Sequence, residues 1–191
     1  MGVTRRAGPG NCVARARARW LTSSAVRPLT EPTIRSSFIN CSKGDANRLT
    51  LPEGFDQIDW PTMVFLSWID RKAPGRGYLI TADEDGEPTG VLLRRPDSRV
   101  KSAVPQLCSL CLTTHLSSGV SLMVAPRSGP AGRNGNTVGT YICADLGCPW
   151  YLNGSRKPLL SQQLDRHLSL AEKMARTREK AAAFIASVRG E

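Results

Sequence analysis

Histidine is scarce in this sequence, which has only two among 191 residues, His115 and His167. Neither begins the His-x-Glu pair that zinc deaminases require. No Ser/His/Asp or paired-carboxylate pattern accompanies them. The usual components of a general-base or nucleophilic site are therefore missing. We expect no catalytic residues and predict that the protein is not an enzyme.

Long apolar runs are also missing. The longest, such as Met63–Leu66, have the length of a strand, far below the roughly 18 uncharged residues that a membrane-spanning helix needs. The first residues lack the hydrophobic block of a secretory signal. These absences exclude a transmembrane protein and a membrane partner. They predict a cytoplasmic location.

Basic residues are abundant but lie mainly at the two ends. The chain carries 26 Lys and Arg against 16 Asp and Glu, a net charge of +10. Residues 1–28 hold six arginines and no acid, whereas residues 29–154 hold equal numbers of bases and acids. The body is therefore not a basic platform for nucleic acid. We predict a disordered basic extension at 1–28 and a domain at 29–191, with a transit peptide or an early start codon as alternatives for the extension.

Four of the six cysteines form two close pairs. Cys108 and Cys111 make a CxxC, and four residues separate Cys143 from Cys148. Zinc binds four thiolates in a tetrahedron, and a CxxC on a tight turn points two sulfurs at one site. Four thiolates leave no position for a catalytic water. The pairs therefore predict one structural zinc ion.

Other interpretations of the cysteines stay open. A CxxC also occurs in thioredoxin-like redox motifs, although the residues after Cys111 indicate a turn rather than a helix. Cys143 and Cys148 could be buried small residues without a ligand role. His115, four residues beyond Cys111, could replace one thiolate. Cys41 is expected to be a partly buried thiol outside the site.

The elements around the cysteines predict an α+β fold built on antiparallel hairpins. Residues 63–69 alternate as a strand does, and residues 77–95 indicate a hairpin around a solvated acidic turn. Two further strands, the second ending in Cys143, are joined by a Gly/Pro/Asn-rich loop at 126–136. One cysteine pair precedes this second hairpin, and the other follows it before a short helix. The order of knuckle, hairpin and helix predicts a treble-clef zinc finger at about 105–151.

A C-terminal amphipathic helix is predicted at about 169–189. It begins with a capping box from Ser169 to Glu172. A stripe recurs at helical spacing and indicates a face that packs on the core; its members are Leu170, Met174, Thr177, Ala181, Phe184 and Val188.

The motifs around the cysteines resemble a known family. The runs CSLCLTTH at 108–115, VSLMVAP at 120–126 and GNTVGTYICADLGC at 135–148 are similar to the treble-clef domain of elongation factor G-binding proteins. This is the family of FusB-type fusidic acid resistance proteins. The upstream runs FLSWID and GYLITADEDGEPTGVL extend the resemblance over about 60–151. The chain looks like the short actinobacterial-type members, because it has no room for the long N-terminal helical bundle of the resistance proteins.

The resemblance implies a zinc-binding protein of translation without enzymatic activity. Such a protein docks on elongation factor G and modulates its release from the ribosome or its action there. The expected partners are elongation factor G and the ribosome, with no small-molecule substrate. The resemblance also implies four zinc ligands, namely Cys108, Cys111, Cys143 and Cys148.

Four residues are candidates for contact with the partner. The resemblance places Tyr141 on the binding face beside the metal, and Leu107 occupies an aromatic position in some relatives. Arg127 and Arg133 lie in the loop of the second hairpin, and aromatic and arginine side chains are typical interface anchors.

Two other functions remain as alternatives. The first is a zinc finger that binds ribosomal RNA or another nucleic acid, although residues 105–151 hold only Arg127 and Arg133 as basic residues. The second is a thiol oxidoreductase, which would need an exposed, reactive thiolate.

Overall fold

The described part of the chain comprises residues 27–83, 86–95, 104–158 and 167–191 of a computed structural model. Nearly all of the predicted basic extension at 1–28 lies outside these residues. The tip of the acidic turn, residues 84 and 85, lies outside them too.

Short helices, one long helix and short strands alternate along the chain. The helices are α1 (Glu31–Ser36), α2 (Lys43–Arg48), α3 (Gly129–Arg133), α4 (Cys148–Leu152) and α5 (Leu170–Arg189), with 3-10 turns at Phe55–Gln57, Trp60–Thr62 and Ser117–Gly119. The strands are β1 (Leu66–Ile69), β2 (Arg76–Ala82), β3 (Pro88–Arg94), β4 (Gln106–Leu107), β5 (Thr114–His115), β6 (Val120–Pro126) and β7 (Thr137–Cys143).

Five of the strands form one antiparallel sheet in the order β1-β2-β3-β6-β7. Two long hairpins, β2-β3 and β6-β7, supply four of these strands, and one residue pair, Arg94 with Val124, joins them. The short strands β4 and β5 pair separately. The predicted α+β class with antiparallel hairpins and a treble-clef finger is confirmed.

Both faces of the sheet are covered. Successive side chains of a strand point to opposite faces, so one strand can contribute to two clusters. On β2, Leu79 belongs to the core cluster that contains the cysteine pairs, whereas Tyr78 and Ile80 belong to a second cluster. Helix α5 and the finger cover the first face. The N-terminal segment, with Leu29 and Ile34, covers the other.

Helix α5 has the predicted boundaries and caps. The Ser169 side chain accepts a hydrogen bond from the Glu172 N–H, and Glu172 bonds back, which completes the capping box. Gly190 ends the helix in the left-handed region, at a φ of 100°. The predicted stripe is buried at Thr177, Ala181, Phe184 and Val188, and Ile185 joins it. Leu170, the first member of the stripe, is 50% exposed and lies outside the core.

Two predicted segments differ in detail from the structure. The loop at 126–136 contains helix α3, which begins at a glycine with a φ of 65°. A Cβ on Gly132 would collide with the Arg127 carbonyl, so only glycine fits there. The strand predicted at 63–69 begins only at Leu66, because a 3-10 turn around Pro61 ends at Thr62.

Asp70, which follows β1, is buried and ties the N-terminal segment to the sheet. Its carboxylate accepts hydrogen bonds from Thr50 N (3.2 Å), Lys72 N (2.9 Å) and Tyr78 Oη (3.1 Å). Burial raises the pKa of Asp70, but these hydrogen bonds outweigh it and hold the pKa below its usual value. Because the folded-state pKa is lowered, the stabilisation is present above the unfolded pKa of about 3.9 and is lost as pH falls toward the folded pKa.

We expect Asp70→Asn to lower the free energy of unfolding by about 1–3 kcal/mol at pH 7, because the amide cannot accept all three hydrogen bonds. Urea denaturation at pH 7 and at pH 3 measures the effect, and the difference from wild type should shrink at the lower pH. Asp56→Asn, at an exposed carboxylate, is the control. An Asp70→Asn protein as stable as wild type at pH 7 would contradict this role.

Among the described helices, none combines the length with the apolar character that a membrane span requires.

Candidate metal centre

The first cysteine pair lies on a tight turn between β4 and β5. The Leu112 N–H donates to the Cys108 carbonyl (3.0 Å), and the Cys108 N–H donates to the Thr113 carbonyl (3.0 Å). Leu112 has a φ of 54°, in the left-handed region that closes the turn. The Cys111 N–H points at the Cys108 sulfur, 3.5 Å away. Both thiols are therefore held on one side of the turn.

The second pair lies on the turn that links β7 to α4. Cys143 ends β7, and Cys148 begins α4. Between them Leu146, at a φ of 54°, packs so closely on β2 that a Cβ on Gly77 would stand 2.6 Å from its Cδ1. The Ser67 hydroxyl on β1 donates to the Leu146 carbonyl (2.7 Å). This turn is thus fastened to the sheet, which fixes the position of the second pair.

The four thiols meet in one buried cluster. Their sulfurs all lie within 4.8 Å of one another. Cys108 is 3.6 Å from Cys148, and Cys111 is 3.6 Å from Cys143, measured between Sγ atoms. A zinc tetrahedron with Zn–S bonds of about 2.3 Å has edges of roughly 3.8 Å. None of the four residues is more than 3% exposed, so the donor set fits a closed structural zinc site.

The thiols affect one another's ionisation. Hydrogen bonds from the other three lower the pKa of Cys108 well below its usual value. The hydrogen bonds of Cys148 with the other three, together with burial, raise the pKa of Cys148 well above its usual value. One thiolate is thus stabilised by its neighbours, whereas four thiolates at this spacing repel one another. A divalent cation resolves that repulsion, so zinc binding releases protons and stabilises the fold.

His115 is a fifth potential donor at the edge of the cluster. Its Nε2 lies 3.2 Å from the Cys143 sulfur, and its ring packs against the Tyr151 ring in a T-shaped arrangement, with the centroids 4.9 Å apart. Tyr151 Oη donates to Asp145 (3.0 Å), which also accepts from Arg156 (2.8 Å). Burial lowers the pKa of His115, which favours the neutral ring. Because four sulfurs already complete the tetrahedron, His115 is placed to donate an Nε2–H bond to the Cys143 thiolate.

We expect His115→Ala to keep one zinc per chain but to weaken zinc affinity by about 10- to 100-fold, as loss of a partner of a metal ligand does. Competition with a chromogenic chelator measures the affinity. His167→Ala, at the other histidine, which is exposed, is the control. Complete loss of zinc from His115→Ala would instead make His115 a ligand. Wild-type zinc affinity of this variant would show that the contact of His115 with Cys143 does not support zinc binding.

The structure separates the predicted partner residues into two groups. Tyr141 is 55% exposed on β7, and Leu107 is 37% exposed immediately before Cys108. The Ser109 N–H donates to the Tyr141 carbonyl (2.8 Å), so the first knuckle lies against this strand. Arg127 and Arg133 lie at the opposite end of the β6-β7 hairpin.

Cys41 lies apart from the cluster. It is half-buried, and burial, with the nearby Asp45 carboxylate, raises the pKa of its thiol to about 11. The prediction of a partly buried thiol outside the site therefore matches its placement.

Sequence reasoning missed the polar residues beside the second knuckle. Arg156 lies over the Trp150 ring, 5.1 Å from its centroid, and reaches Asp145 inside the Cys143–Cys148 segment. The signal in the sequence was the aromatic pair Trp150-Tyr151 directly after the last cysteine.

Comparison with known proteins relates most of the chain to a protein family. The model of the FBP C-terminal treble-clef zinc-finger matches residues 33–188. A solved structure, that of the fusidic acid resistance protein FusC, is similar with a TM-score of 0.43 and 17% identity, over 73% of this chain. The match covers 51% of the FusC chain, so this chain spans about half of it. No curated protein sequence matches the chain.

The family match and the thiol geometry agree. The matched region contains the whole sheet, both cysteine pairs and most of α5, and the four sulfurs lie at the spacing of a zinc tetrahedron. The predicted structural zinc and the predicted family are both confirmed. The chain belongs to the FBP C-terminal treble-clef zinc-finger family.

Proposed function

We propose that this protein binds translation elongation factor G through its zinc-finger face, and modulates release of the factor from the ribosome or its action there. The observation that carries the proposal is Tyr141, an exposed aromatic held beside the zinc knuckle in a chain of this family. The binding itself rests on the family resemblance of the cysteine motifs.

The contact surface of this proposal is the finger edge, which we define by Tyr141 and Leu107. Both residues lie by the first knuckle, Leu107 directly before Cys108 and Tyr141 bonded through its carbonyl to Ser109. Exposed large apolar side chains favour a protein contact over solvent. Tyr141 can bury its ring and still offer its hydroxyl for a hydrogen bond, which makes tyrosine a frequent hot-spot residue. The finger edge therefore suits a protein partner better than a nucleic-acid partner.

Zinc has an indirect role in this proposal. The metal would fix Cys108 and Cys111 against Cys143, and the knuckle between the first two holds the backbone of Tyr141 through Ser109. A binding face that is rigid before contact loses less conformational entropy when the partner docks. We accordingly propose a binding function without catalysis, in which all four thiolates serve the structure.

Isothermal titration calorimetry with elongation factor G from the same organism tests the proposal. We expect a 1:1 complex between the full chain and the factor. Absence of binding by a folded protein that carries one zinc per chain would overturn the proposal. The alternative function is separated by its place on the molecule, since a zinc finger for nucleic acid would leave the factor free and would lose RNA affinity in the Tyr141→Ala variant.

A further inference from the structure

A cleft of about 570 Å³ lies at the end of the β6-β7 hairpin remote from the cysteines. Pro126 pairs with Thr137 at this end, whereas Val120 pairs with Cys143 at the other. Six residue steps along a strand separate the two ends by about 20 Å. The cleft is therefore a different place from the zinc site and the finger edge.

Arginine dominates the charge of the cleft. The described part of its lining contains one acid, Asp45, and four basic residues, namely Arg76, Arg94, Arg127 and Arg133. Asp45 is already engaged by Arg76 (3.2 Å) and by Arg48 (3.1 Å). Among the described residues, Arg94, Arg127 and Arg133 form no ion pair with a carboxylate. The cleft thus keeps an uncompensated positive charge.

Hydrogen bonds of the Asn40 side chain hold the floor of the cleft together. The Asn40 side chain donates to the carbonyls of Leu92 (3.0 Å) and Pro126 (3.0 Å) and accepts from the Leu92 N–H (2.8 Å). These three bonds join the N-terminal segment to β3 and β6. The relative positions of these three segments are therefore fixed by the fold.

The wall that carries two of the arginines is anchored as well. The Arg127 N–H donates to the Asn136 carbonyl (2.9 Å), and the Ser128 N–H donates to the Val188 carbonyl of α5 (2.9 Å). The Ser128 hydroxyl reaches the Arg189 carbonyl (3.1 Å). Arg133 thus extends from a turn whose backbone is held against α5.

We propose that this arginine cleft binds phosphate groups of an RNA strand. The guanidinium fork matches phosphate oxygens in geometry and keeps its charge at every physiological pH. Concave positive surfaces concentrate anions. The lining residues that the structure describes include no aromatic side chain, so bases find no stacking partner among them and contact is with the backbone, independent of base sequence. This site goes beyond the proposed factor binding and stands or fails independently of it.

The test is RNA binding by the full chain and by the double variant Arg94→Ala/Arg133→Ala, measured by fluorescence anisotropy with a labelled 12-nucleotide single-stranded RNA across a series of salt concentrations. We expect the double variant to bind the RNA about tenfold more weakly than the wild-type chain does at moderate salt. The slope of log K against log salt should become shallower by about 1.4, since each lost phosphate contact removes about 0.7 for a single strand.

A matched control removes the same charge elsewhere. Arg71→Ala/Lys180→Ala changes two exposed basic side chains that do not line the cleft, so it corrects for general attraction by the basic chain. Arg94→Lys/Arg133→Lys keeps the charge and should retain the salt slope while losing affinity, because lysine lacks the fork. Thermal unfolding of each variant confirms that the sheet is intact.

Three outcomes would overturn the proposal. Equal RNA affinity of the cleft variant and its control would remove the cleft as a phosphate site. If poly-glutamate displaced the labelled RNA as strongly as pyrophosphate does, the cleft would be a site for carboxylates rather than for phosphates. Binding of pyrophosphate without binding of RNA would assign it to a free phosphate compound.

Discussion

Cys108→Ser is expected to abolish zinc binding and to lower the free energy of unfolding by on the order of 5 kcal/mol. The Cys108 sulfur lies within hydrogen-bond distance of both Cys148 and the Cys111 N–H, so it is central to the cluster. A serine hydroxyl is a poor zinc ligand, and three remaining thiolates would repel one another without the metal. Metal analysis of the purified protein and urea denaturation measure the two effects.

The effect should extend beyond the turn itself. The cysteine pairs belong to the same core cluster as Leu79 and Val91 of the sheet and Phe184 of α5. Loss of zinc frees the two knuckles, and Leu146 then loses its fixed position over Gly77. We therefore expect the hydrophobic contact between finger and sheet to weaken together with the metal site.

Cys41→Ser is the matched control, because Cys41 is half-buried and outside the cluster. Its raised pKa keeps the thiol neutral at pH 7, so serine replaces a neutral group by a neutral group. This variant should keep one zinc per chain. A Cys108→Ser protein with one zinc per chain and wild-type stability would contradict the structural role of the metal.

Tyr141→Ala is expected to weaken the binding of elongation factor G by at least about 30-fold, the loss of roughly 2 kcal/mol that marks a hot spot. Zinc content and stability should stay near wild type, because the ring is 55% exposed and contributes little to the core. Calorimetric titration of the variant against the factor measures the affinity, and metal analysis measures the zinc.

Leu170→Ala controls for the loss of an exposed apolar side chain. Leu170 is 50% exposed at the start of α5, outside the finger edge, so its removal should leave factor binding unchanged. Tyr141→Phe removes the hydroxyl and keeps the ring, so its affinity for the factor separates the contributions of the two groups. Unchanged affinity of Tyr141→Ala would remove Tyr141 from the interface, and loss of zinc from that variant would give it a structural role instead.

The parts of the structure that could be predicted are those encoded by local spacing. The CxxC, the strand alternation around the acidic turn and the Ser169-to-Glu172 capping box each act within a few residues. The local structure that each of these patterns forms therefore depends little on distant parts of the chain. The same holds for the order of knuckle, hairpin and helix, from which the treble clef followed.

Features that depend on distant segments could not be predicted in this way. His115 meets Cys143 only once the first knuckle lies against β7, and no spacing rule connects residues 28 positions apart. The close contact of Leu146 with Gly77 joins the finger to β2. The arginine cleft combines the N-terminal segment, β2, β3 and the loop after β6, and its charge shows only when they are brought together.

The sequence did not predict helix α3, and the reason is a different one. Its sequence, Gly-Pro-Ala-Gly-Arg, has the composition of a turn, and five residues are too few to show a helical period. Contacts of the neighbouring Ser128 with the end of α5 hold the segment in place. Tertiary support, rather than intrinsic helix propensity, thus accounts for this element.

The most direct test of the central claim is size-exclusion chromatography of the full chain with elongation factor G, before zinc removal, after zinc removal and after zinc is restored. The account predicts co-elution with the zinc-loaded protein, separate elution after stripping, and recovery of the complex when zinc returns. A complex that persists without zinc would contradict the claim that the metal organises the binding face. A folded, zinc-loaded protein that never co-elutes would contradict the proposed partner.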